Sequence, residues 1–249
     1  MADRPALDAV IFDAGGTLVR LDFEWISGML AALGCGIPVE ELRRGEVQGR
    51  RLYDMAALTP PGAGHGASAG IVGAMAPVEA YWAGMLHAAG CPFELLEEAV
   101  ARMHARQASE HFLWAKPVEG ARETLDAMPG MGLRIACVSN SDGRAEEHLV
   151  RFGMREGLEF VIDSGIVGVE KPDPGIFHLA LERLGVAAGR ALYVGDIRSV
   201  DEDGSRAAGM PFVLLDPYGD YADPSIASIA TIRDLPHFIR ETYRTPPPE

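Results

Sequence analysis

The chain has 249 residues, of which 48% are hydrophobic and 23% charged, a composition typical of a soluble globular protein with one large domain or a core and a smaller domain. Its 22 basic and 36 acidic residues give a net charge of −14, which disfavours nucleic acid as a partner because polyanions bind basic patches. No apolar run approaches the roughly 20 residues of a membrane span and no secretory signal is recognisable, so we expect a cytoplasmic protein without a membrane partner.

Three cysteines are too few, and too irregularly spaced, for a zinc site or a disulfide framework. They are Cys35, Cys91 and Cys137.

Five short, nearly continuous apolar runs predict strands that are buried on both faces. In chain order they are AVIF before Asp13, LRIACV before Ser139, EFVID ending at Asp163, ALYV before Gly195 and PFVLL before Asp216. Helical patterns separate the later runs, over residues 142 or 143 to 152, 174 to 184 and 200 to 208. Asp173 and Pro174 suit the N-cap and the first turn of the second helix. The alternation predicts an α/β fold with a parallel sheet.

Residues 22 to 115 interrupt this alternation. They are rich in helix formers and contain no convincing strand, so they predict a helical insertion after the first strand. Within the insertion, residues 59 to 77 are rich in glycine, alanine and proline, which predicts a long loop or a poorly ordered lid.

Polar residues suited to one site follow the predicted strands. They are Asp13, Ser139, Asn140, Lys171, Gly195 and Asp196. In a parallel sheet these positions converge at the carboxyl ends of the strands. Asp13 and Asp196, with Asp201 behind them, form the hard oxygen site that Mg²⁺ prefers. The hydroxyl, amide and ammonium groups of the others could hold the oxygens of a tetrahedral anion.

The segments DAGGT, SN, KPDP and GDIRSVD, in this order at successive strand ends, resemble the four motifs of the haloacid dehalogenase (HAD) superfamily. The resemblance covers residues 9 to 19 and about 113 to 216. The helical insertion resembles the cap domain of that family in position and helicity only. The implied architecture is a Rossmann-like parallel sheet core, residues 1–20 and 113–249, with a helical cap domain, residues 21–112, inserted after the first strand.

The resemblance implies a Mg²⁺-dependent hydrolase that acts on a small phosphorylated metabolite. Asp13 would be the nucleophile and form an aspartyl-phosphate, while Ser139 and Lys171 would hold the transferring group. Thr17 and Asn140 would contact the substrate. The metal would be held by Asp13, the backbone carbonyl of Gly15, Asp196 and Asp201. Oligomeric state does not follow from the sequence.

Gly15 departs from the family pattern, because the phosphatases of the family usually carry a second aspartate there as general acid and base. General acid and base assistance is worth about 10² to 10⁴ in rate. One explanation is a phosphatase for activated phosphates whose leaving groups need no proton, or one that borrows an acid from the cap or the substrate.

Two other readings stay open. Family branches replace this aspartate, and a 2-haloacid dehalogenase-like hydrolase would attack carbon without metal, with Arg43 or Arg44 binding a carboxylate or halide. The phosphonate branch needs a cap lysine, and the chain has none between residues 1 and 115. The second open reading is a non-catalytic relative that binds a metal, a ligand or a protein partner.

Overall fold

A computed structural model describes residues 4–58, 75–221 and 223–248 of the chain. The loop that the sequence predicts over residues 59 to 77 lies outside the described residues as far as residue 74. The chain divides into two compact units, one formed by residues 1–20 and 116–249 and the other by residues 21–115. We call them the core unit and the helical unit.

The helical unit ends at Ala115, slightly beyond the sequence-based boundary at residue 112. Leu113 is fully buried in the hydrophobic cluster of the helical unit, and Trp114 packs against the same cluster. The added residues therefore belong to the helical unit because their apolar side chains are buried there.

The strands of the core unit form a parallel sheet and a short ribbon. Those described are β1 (Ala9–Phe12), β2 (Val19–Arg20), β3 (Lys116–Pro117), β4 (Arg134–Ser139), β5 (Val161–Asp163), β6 (Ala191–Gly195), β7 (Phe212–Leu215) and β8 (Ser228–Ile229). Six of them form one sheet in the order β5-β4-β1-β6-β7-β8. Every neighbouring pair in this sheet is parallel, which confirms the predicted fold class.

The central strand β1 has β4 on one side and β6 on the other. Its four residues are fully buried, so a continuous apolar run is required there. The chain first extends the sheet on one side of β1, through β4 and β5, and then on the other side, through β6, β7 and β8. Ligands of such sheets bind beyond the carboxyl ends of the strands where this direction changes.

The structure describes α-helices in both units of the chain. They are α1 (Phe23–Ala32), α2 (Val39–Ala57), α3 (Pro77–Ala88), α4 (Phe93–Gln107), α5 (Ala121–Ala127), α6 (Ala145–Arg151), α7 (Ser164–Val167), α8 (Pro174–Leu184), α9 (Asp203–Ala207) and α10 (Leu235–Thr242). The predicted start of α8 is confirmed, because the side chain of Asp173 accepts a hydrogen bond from the Gly175 N–H at 2.7 Å. The helix predicted over residues 200 to 208 instead starts with a π-helical turn, Arg198–Glu202, which leads into α9.

The turns after β4 and β5 are joined by the buried carboxylate of Asp163. Its Oδ1 accepts hydrogen bonds from the backbone N–H groups of Gly143 and Gly165, at 3.0 and 2.9 Å. Its Oδ2 accepts one from Ala145, the first residue of α6, at 2.9 Å. One side chain thereby satisfies three backbone donors that would otherwise need other partners.

The helical unit consists of α1 to α4, and no strand occurs in its described residues, 21–58 and 75–115. Helices α2 and α3 approach closely, because a Cβ atom on Gly45 would lie 2.4 Å from the Met85 carbonyl oxygen and one on Gly49 would lie 2.8 Å from that of Tyr81. In the part of the chain that the structure describes, no helix has both the length and the apolar character needed to cross a membrane.

A two-residue antiparallel ribbon joins the two parts of the core unit. In it Val19 of β2 pairs with Pro117 of β3, and Arg20 pairs with Lys116. The strands are too short to give a periodic signal, so the sequence does not predict them. The ribbon places the two ends of the helical insertion beside each other in the core unit.

Candidate active site

Polar side chains lie at the carboxyl ends of three neighbouring strands, β4, β1 and β6. Asp13 directly follows β1, Ser139 is the last residue of β4, and Asp196 directly follows β6. All three side chains are buried. Buried carboxylates require partners of opposite charge or a metal, and Lys171 provides such a partner for Asp13.

Lys171 is the cation of this cluster. Its Nζ atom donates hydrogen bonds to Oδ1 of Asp13 at 2.5 Å, to Oδ1 of Asp201 at 2.7 Å and to the hydroxyl of Tyr193 at 3.0 Å. Burial lowers the pKa of Lys171, but the charges of Asp13 and Asp201 outweigh burial and raise this pKa well above its usual value. The side chain therefore stays an ammonium ion.

The backbone of Lys171 is fixed by the side chain of Asn140. The Asn140 Nδ2 donates to the Lys171 carbonyl oxygen at 2.8 Å, and the Asn140 Oδ1 accepts from the Lys171 N–H at 2.7 Å. Both ends of the amide are thus engaged by the loop that carries Lys171. These bonds orient Lys171, whereas contact between Asn140 and a substrate stays a prediction.

Asp201 has two sets of partners. Its Oδ1 accepts from Lys171, and its Oδ2 accepts from the backbone N–H groups of Asp196 and Ile197, both at 3.1 Å. The π-helical turn that contains Asp201 turns this carboxylate back toward the end of β6. Asp201 therefore holds the loop after β6 as well as the ammonium group.

The three carboxylates form a compact acidic cluster. One oxygen each of Asp13, Asp196 and Asp201 lies within 4.8 Å of the others. With Lys171, the four side chains carry a formal charge of −2 when all are ionised. Burial raises the pKa of Asp13 to about 7, although Lys171 acts to lower it. A divalent cation that prefers oxygen ligands, such as Mg²⁺, fits the carboxylate donors and the negative charge of this cluster.

Gly16 allows the turn after β1 to approach Asp196. Its φ angle is +85°, and a Cβ atom at this position would lie 2.2 Å from Oδ2 of Asp196. A side chain here is therefore disfavoured by the backbone conformation and would displace the Asp196 carboxylate. The sequence shows Gly16 as part of a flexible turn but does not show that Asp196 packs against it.

The structure places Thr17 and Gly15 in this same turn. Thr17 is fully buried, and its Oγ1 has no hydrogen-bond partner among the described residues. Gly15 is half-buried and forms an isolated bridge with Val19. The direct hydrogen bonds described above join Asp13, Lys171, Asp196 and Asp201, while the contacts of Ser139 and Thr17 with a substrate stay predictions.

Tyr193 is a member of the cluster that the sequence analysis missed. It lies within β6 and its hydroxyl contacts the Lys171 ammonium group. The run ALYV predicts only a buried strand, and the phenol oxygen gives no separate signal in such a run. The register between β1 and β6, which pairs Ile11 with Tyr193, would have been needed to find it.

With this geometry established, comparison with known proteins identifies relatives. A family model of haloacid dehalogenase-like hydrolases matches residues 7–209. Haloacid dehalogenase-like hydrolase domain-containing protein 3 of Bos taurus is 30% identical over 234 residues, 91% of this chain and 88% of that protein. The protein of the same name from Mus musculus is 41% identical over 127 residues, so this match spans 51% of the chain and 50% of the mouse protein.

Other similar proteins bear the names of phosphatases and dehalogenases. Phosphoglycolate phosphatase of Rhodospirillum rubrum is 30% identical over 230 residues, 91% of this chain and 87% of that protein. A HAD phosphatase structure from Thermococcus onnurineus shares 20% identity over 96% of this chain and 100% of that one, with a TM-score of 0.56. A 2-haloacid dehalogenase structure from Pseudomonas syringae pv. Tomato DC3000 shares 20% identity over 94% and 99%, with a TM-score of 0.53.

At these identities the two structures support the fold alone. The family model, which covers most of the chain, and the bovine relative carry the assignment. The chain belongs to the haloacid dehalogenase-like hydrolases.

Proposed function

We propose that this chain is a Mg²⁺-dependent phosphohydrolase that acts on a small phosphorylated metabolite through an aspartyl-phosphate at Asp13. The observation that carries the proposal is the buried cluster of Asp13, Asp196 and Asp201 around the ammonium group of Lys171. The names of two phosphatase relatives support phosphate as the group that is transferred. The protein is expected to work in the cytoplasm.

The residues that would hold the metal are Asp13, Asp196, the carbonyl group of Gly15 and Asp201. When bound, Mg²⁺ would supply positive charge against the oxygens of the transferring phosphoryl group. Asp201 is already engaged by Lys171 and by two backbone N–H groups. Its contribution to the metal is therefore best assigned to a supporting or water-mediated position.

Asp13 performs the first step. One of its carboxylate oxygens forms a bond to phosphorus while the bond from phosphorus to the leaving oxygen breaks, and the electron pair of that bond departs with the leaving group. Thr17 and Ser139 hold the oxygens of the transferring group, and the positive charge of Lys171, whose ammonium group is bonded to Asp13, offsets their negative charge. Water then attacks the aspartyl-phosphate, which releases inorganic phosphate and restores the Asp13 carboxylate.

Gly15 determines which substrates can react. We propose that it occupies the position at which similar phosphatases carry the aspartate that protonates the leaving oxygen. Gly15 has no side chain, so an alcohol leaving group would depart as an unstable alkoxide. Loss of general acid and base assistance costs about 10² to 10⁴ in rate. Acyl and aryl phosphates, whose leaving groups are stable anions, are therefore the expected substrate class.

The helical unit, residues 21–115, is proposed to be the cap domain that selects the substrate. It is inserted after the first strand of the core unit and consists of helices in its described part. These are the two properties on which its resemblance to that domain depends.

The test is phosphate release from acetyl phosphate, p-nitrophenyl phosphate and an alkyl phosphate, each with Mg²⁺ and with a chelator. Asp13→Asn serves as the blank, and Asp126→Asn, which changes an exposed carboxylate on α5, serves as the matched control. We expect metal-dependent turnover of the two activated substrates that is lost only in Asp13→Asn. Absence of turnover on both, in folded protein, contradicts the proposal.

Gly15 also gives one reason to test a 2-haloacid dehalogenase, since that reaction displaces a halide that needs no proton. The cluster of three carboxylates argues against it, because attack on carbon does not need a metal site. Halide release from a 2-haloacid that persists with chelator would favour this alternative. Tight ligand binding without turnover, retained in Asp13→Asn, would instead indicate a non-catalytic relative.

A further inference from the structure

Tyr193 lies in the middle of the core unit with a polar group that the fold must satisfy. Its side chain is fully buried. The ring packs edge-on against Phe177, with centroids 4.9 Å apart, and is roughly parallel to Phe212 at 6.5 Å. Packing of the ring would be served equally by phenylalanine, so the hydroxyl group needs a separate explanation.

Hydrogen-bond chemistry fixes the direction of the bonds made by this hydroxyl. An ammonium group has three donors and no acceptor, so the Tyr193 oxygen accepts from Nζ of Lys171 at 3.0 Å. The phenolic proton then points to an acceptor, and the Val138 carbonyl oxygen lies 3.1 Å away. Among the described residues, the other acceptor within reach is Oδ1 of Asp201 at 3.4 Å.

The three donors of Lys171 are matched by three acceptors. Two of them are the carboxylates of Asp13 and Asp201, and the third is Tyr193. The two carboxylates belong to the turn after β1 and to the π-helical turn that follows β6. The Tyr193 hydroxyl is instead attached to strand β6 itself and is bonded to a carbonyl group of β4. The third acceptor therefore ties the ammonium group to the sheet.

We propose that Tyr193 is a positioning residue whose hydroxyl holds the ammonium group of Lys171 beside Asp13 by linking it to the Val138 carbonyl of β4. Without the hydroxyl, one N–H of a buried ammonium group has no acceptor, and Nζ is free to shift away from Asp13. The geometric part of this inference stands by itself, while its kinetic consequence rests on the proposed phosphohydrolase function.

The geometric part is testable without activity, because the chain contains only two lysines, Lys116 and Lys171. In a Lys116→Arg background, lysine labelled with nitrogen-15 gives a single ammonium signal, that of Lys171. We expect this signal to exchange its hydrogens slowly with water in metal-free protein. Tyr193→Phe should accelerate the exchange by about tenfold or more, since a lost acceptor opens the site to water.

The kinetic part uses the same variant with a matched control. Tyr243→Phe removes the hydroxyl from another buried tyrosine of the core unit, whose ring packs against Phe238. Under the proposed function, Tyr193→Phe should lower kcat for acetyl phosphate by about tenfold with KM changed less than about twofold, because positioning acts on the transition state. Tyr243→Phe should leave both constants unchanged.

Three results would overturn the inference. In the Lys116→Arg background, Lys171 could exchange as fast as an exposed lysine; Tyr193→Phe could leave the exchange rate unchanged; or active Tyr193→Phe enzyme could match Tyr243→Phe in kcat. Accelerated exchange in a protein that shows no turnover would support the geometry and refute the proposed function alone. The two failures are therefore distinguishable.

Discussion

Replacing Gly16 with alanine should disable the proposed metal site at a modest cost in stability. The φ angle of Gly16 is +85°, and the new Cβ atom would lie 2.2 Å from Oδ2 and 2.5 Å from Cγ of Asp196. These distances are far below ordinary contact, so one of the two groups must move. The Asp196 carboxylate ends a short side chain and can rotate, whereas the turn is held by the hydrogen bond from the Gly16 N–H to the Val19 carbonyl at 2.7 Å.

The backbone and the collision contribute separately to the effect. An alanine in the left-handed region costs about 1 to 2 kcal/mol in the free energy of folding. Gly185, which ends α8 with a φ angle of +62°, has the same backbone requirement, but a Cβ atom added there would meet no other atom within 4 Å. Gly185→Ala therefore measures the backbone cost alone, and only Gly16→Ala displaces a carboxylate.

We expect both variants to unfold at lower urea concentration than the parent, with Gly16→Ala at least as destabilised as Gly185→Ala. Calorimetric titration with Mg²⁺ should show an affinity about 10 to 100 times weaker in Gly16→Ala and unchanged in Gly185→Ala. Phosphate release should follow the same pattern. Parental Mg²⁺ affinity in Gly16→Ala would refute the reasoning, because it would mean that Asp196 does not hold the metal from its observed position.

Three further outcomes are expected. Asp163→Asn places an amide donor against one of the backbone N–H groups whose hydrogen bond the carboxylate accepts. The variant should lower the free energy of unfolding, measured by urea titration, by about 1.5 to 3 kcal/mol. Asn140→Ala removes both bonds to the backbone of Lys171 and should reduce kcat for acetyl phosphate by about tenfold or more, measured as phosphate release. Burial raises the pKa of the Cys91 thiol to about 11 and raises that of Cys137 still further, so a thiol reagent at pH 8 should label both slowly in folded protein and rapidly in urea. Unchanged stability, unchanged turnover or rapid native labelling would contradict the respective argument.

The sheet could be predicted from the sequence because its strands are buried on both faces. A continuous apolar run such as AVIF is the direct expression of that burial, and Asp173 with Pro174 marks the start of α8 by chemistry that does not depend on tertiary contacts. The ribbon of β2 and β3 and the strand β8 have only two residues each. Elements of that length are stabilised by their neighbours and leave no periodic pattern.

Only part of the site could be predicted from the sequence, for a related reason. Asp13 and Asp196 directly follow apolar strands, and Lys171 lies in the KPDP segment that resembles a family motif, so all three could be identified from the sequence. Tyr193 carries its polar atom within such a strand, and the role of Gly16 depends on its having no Cβ atom. Both roles depend on what approaches from another segment of the chain, and that approach is fixed by strand register and loop conformation rather than by local pattern.

The ribbon formed by β2 and β3 has a consequence for the assembly of the sheet. Strand β1 must pair with β4, although 95 residues of the helical unit lie between the two parts of the core unit. The entropy lost on closing a loop grows only by about 0.6 kcal/mol for each doubling of its length, and the ribbon brings the two ends of the insertion together whatever lies between them. The length and the sequence of the insertion can therefore diverge during evolution while the pairing of β1 with β4, and the position of Asp13, are preserved.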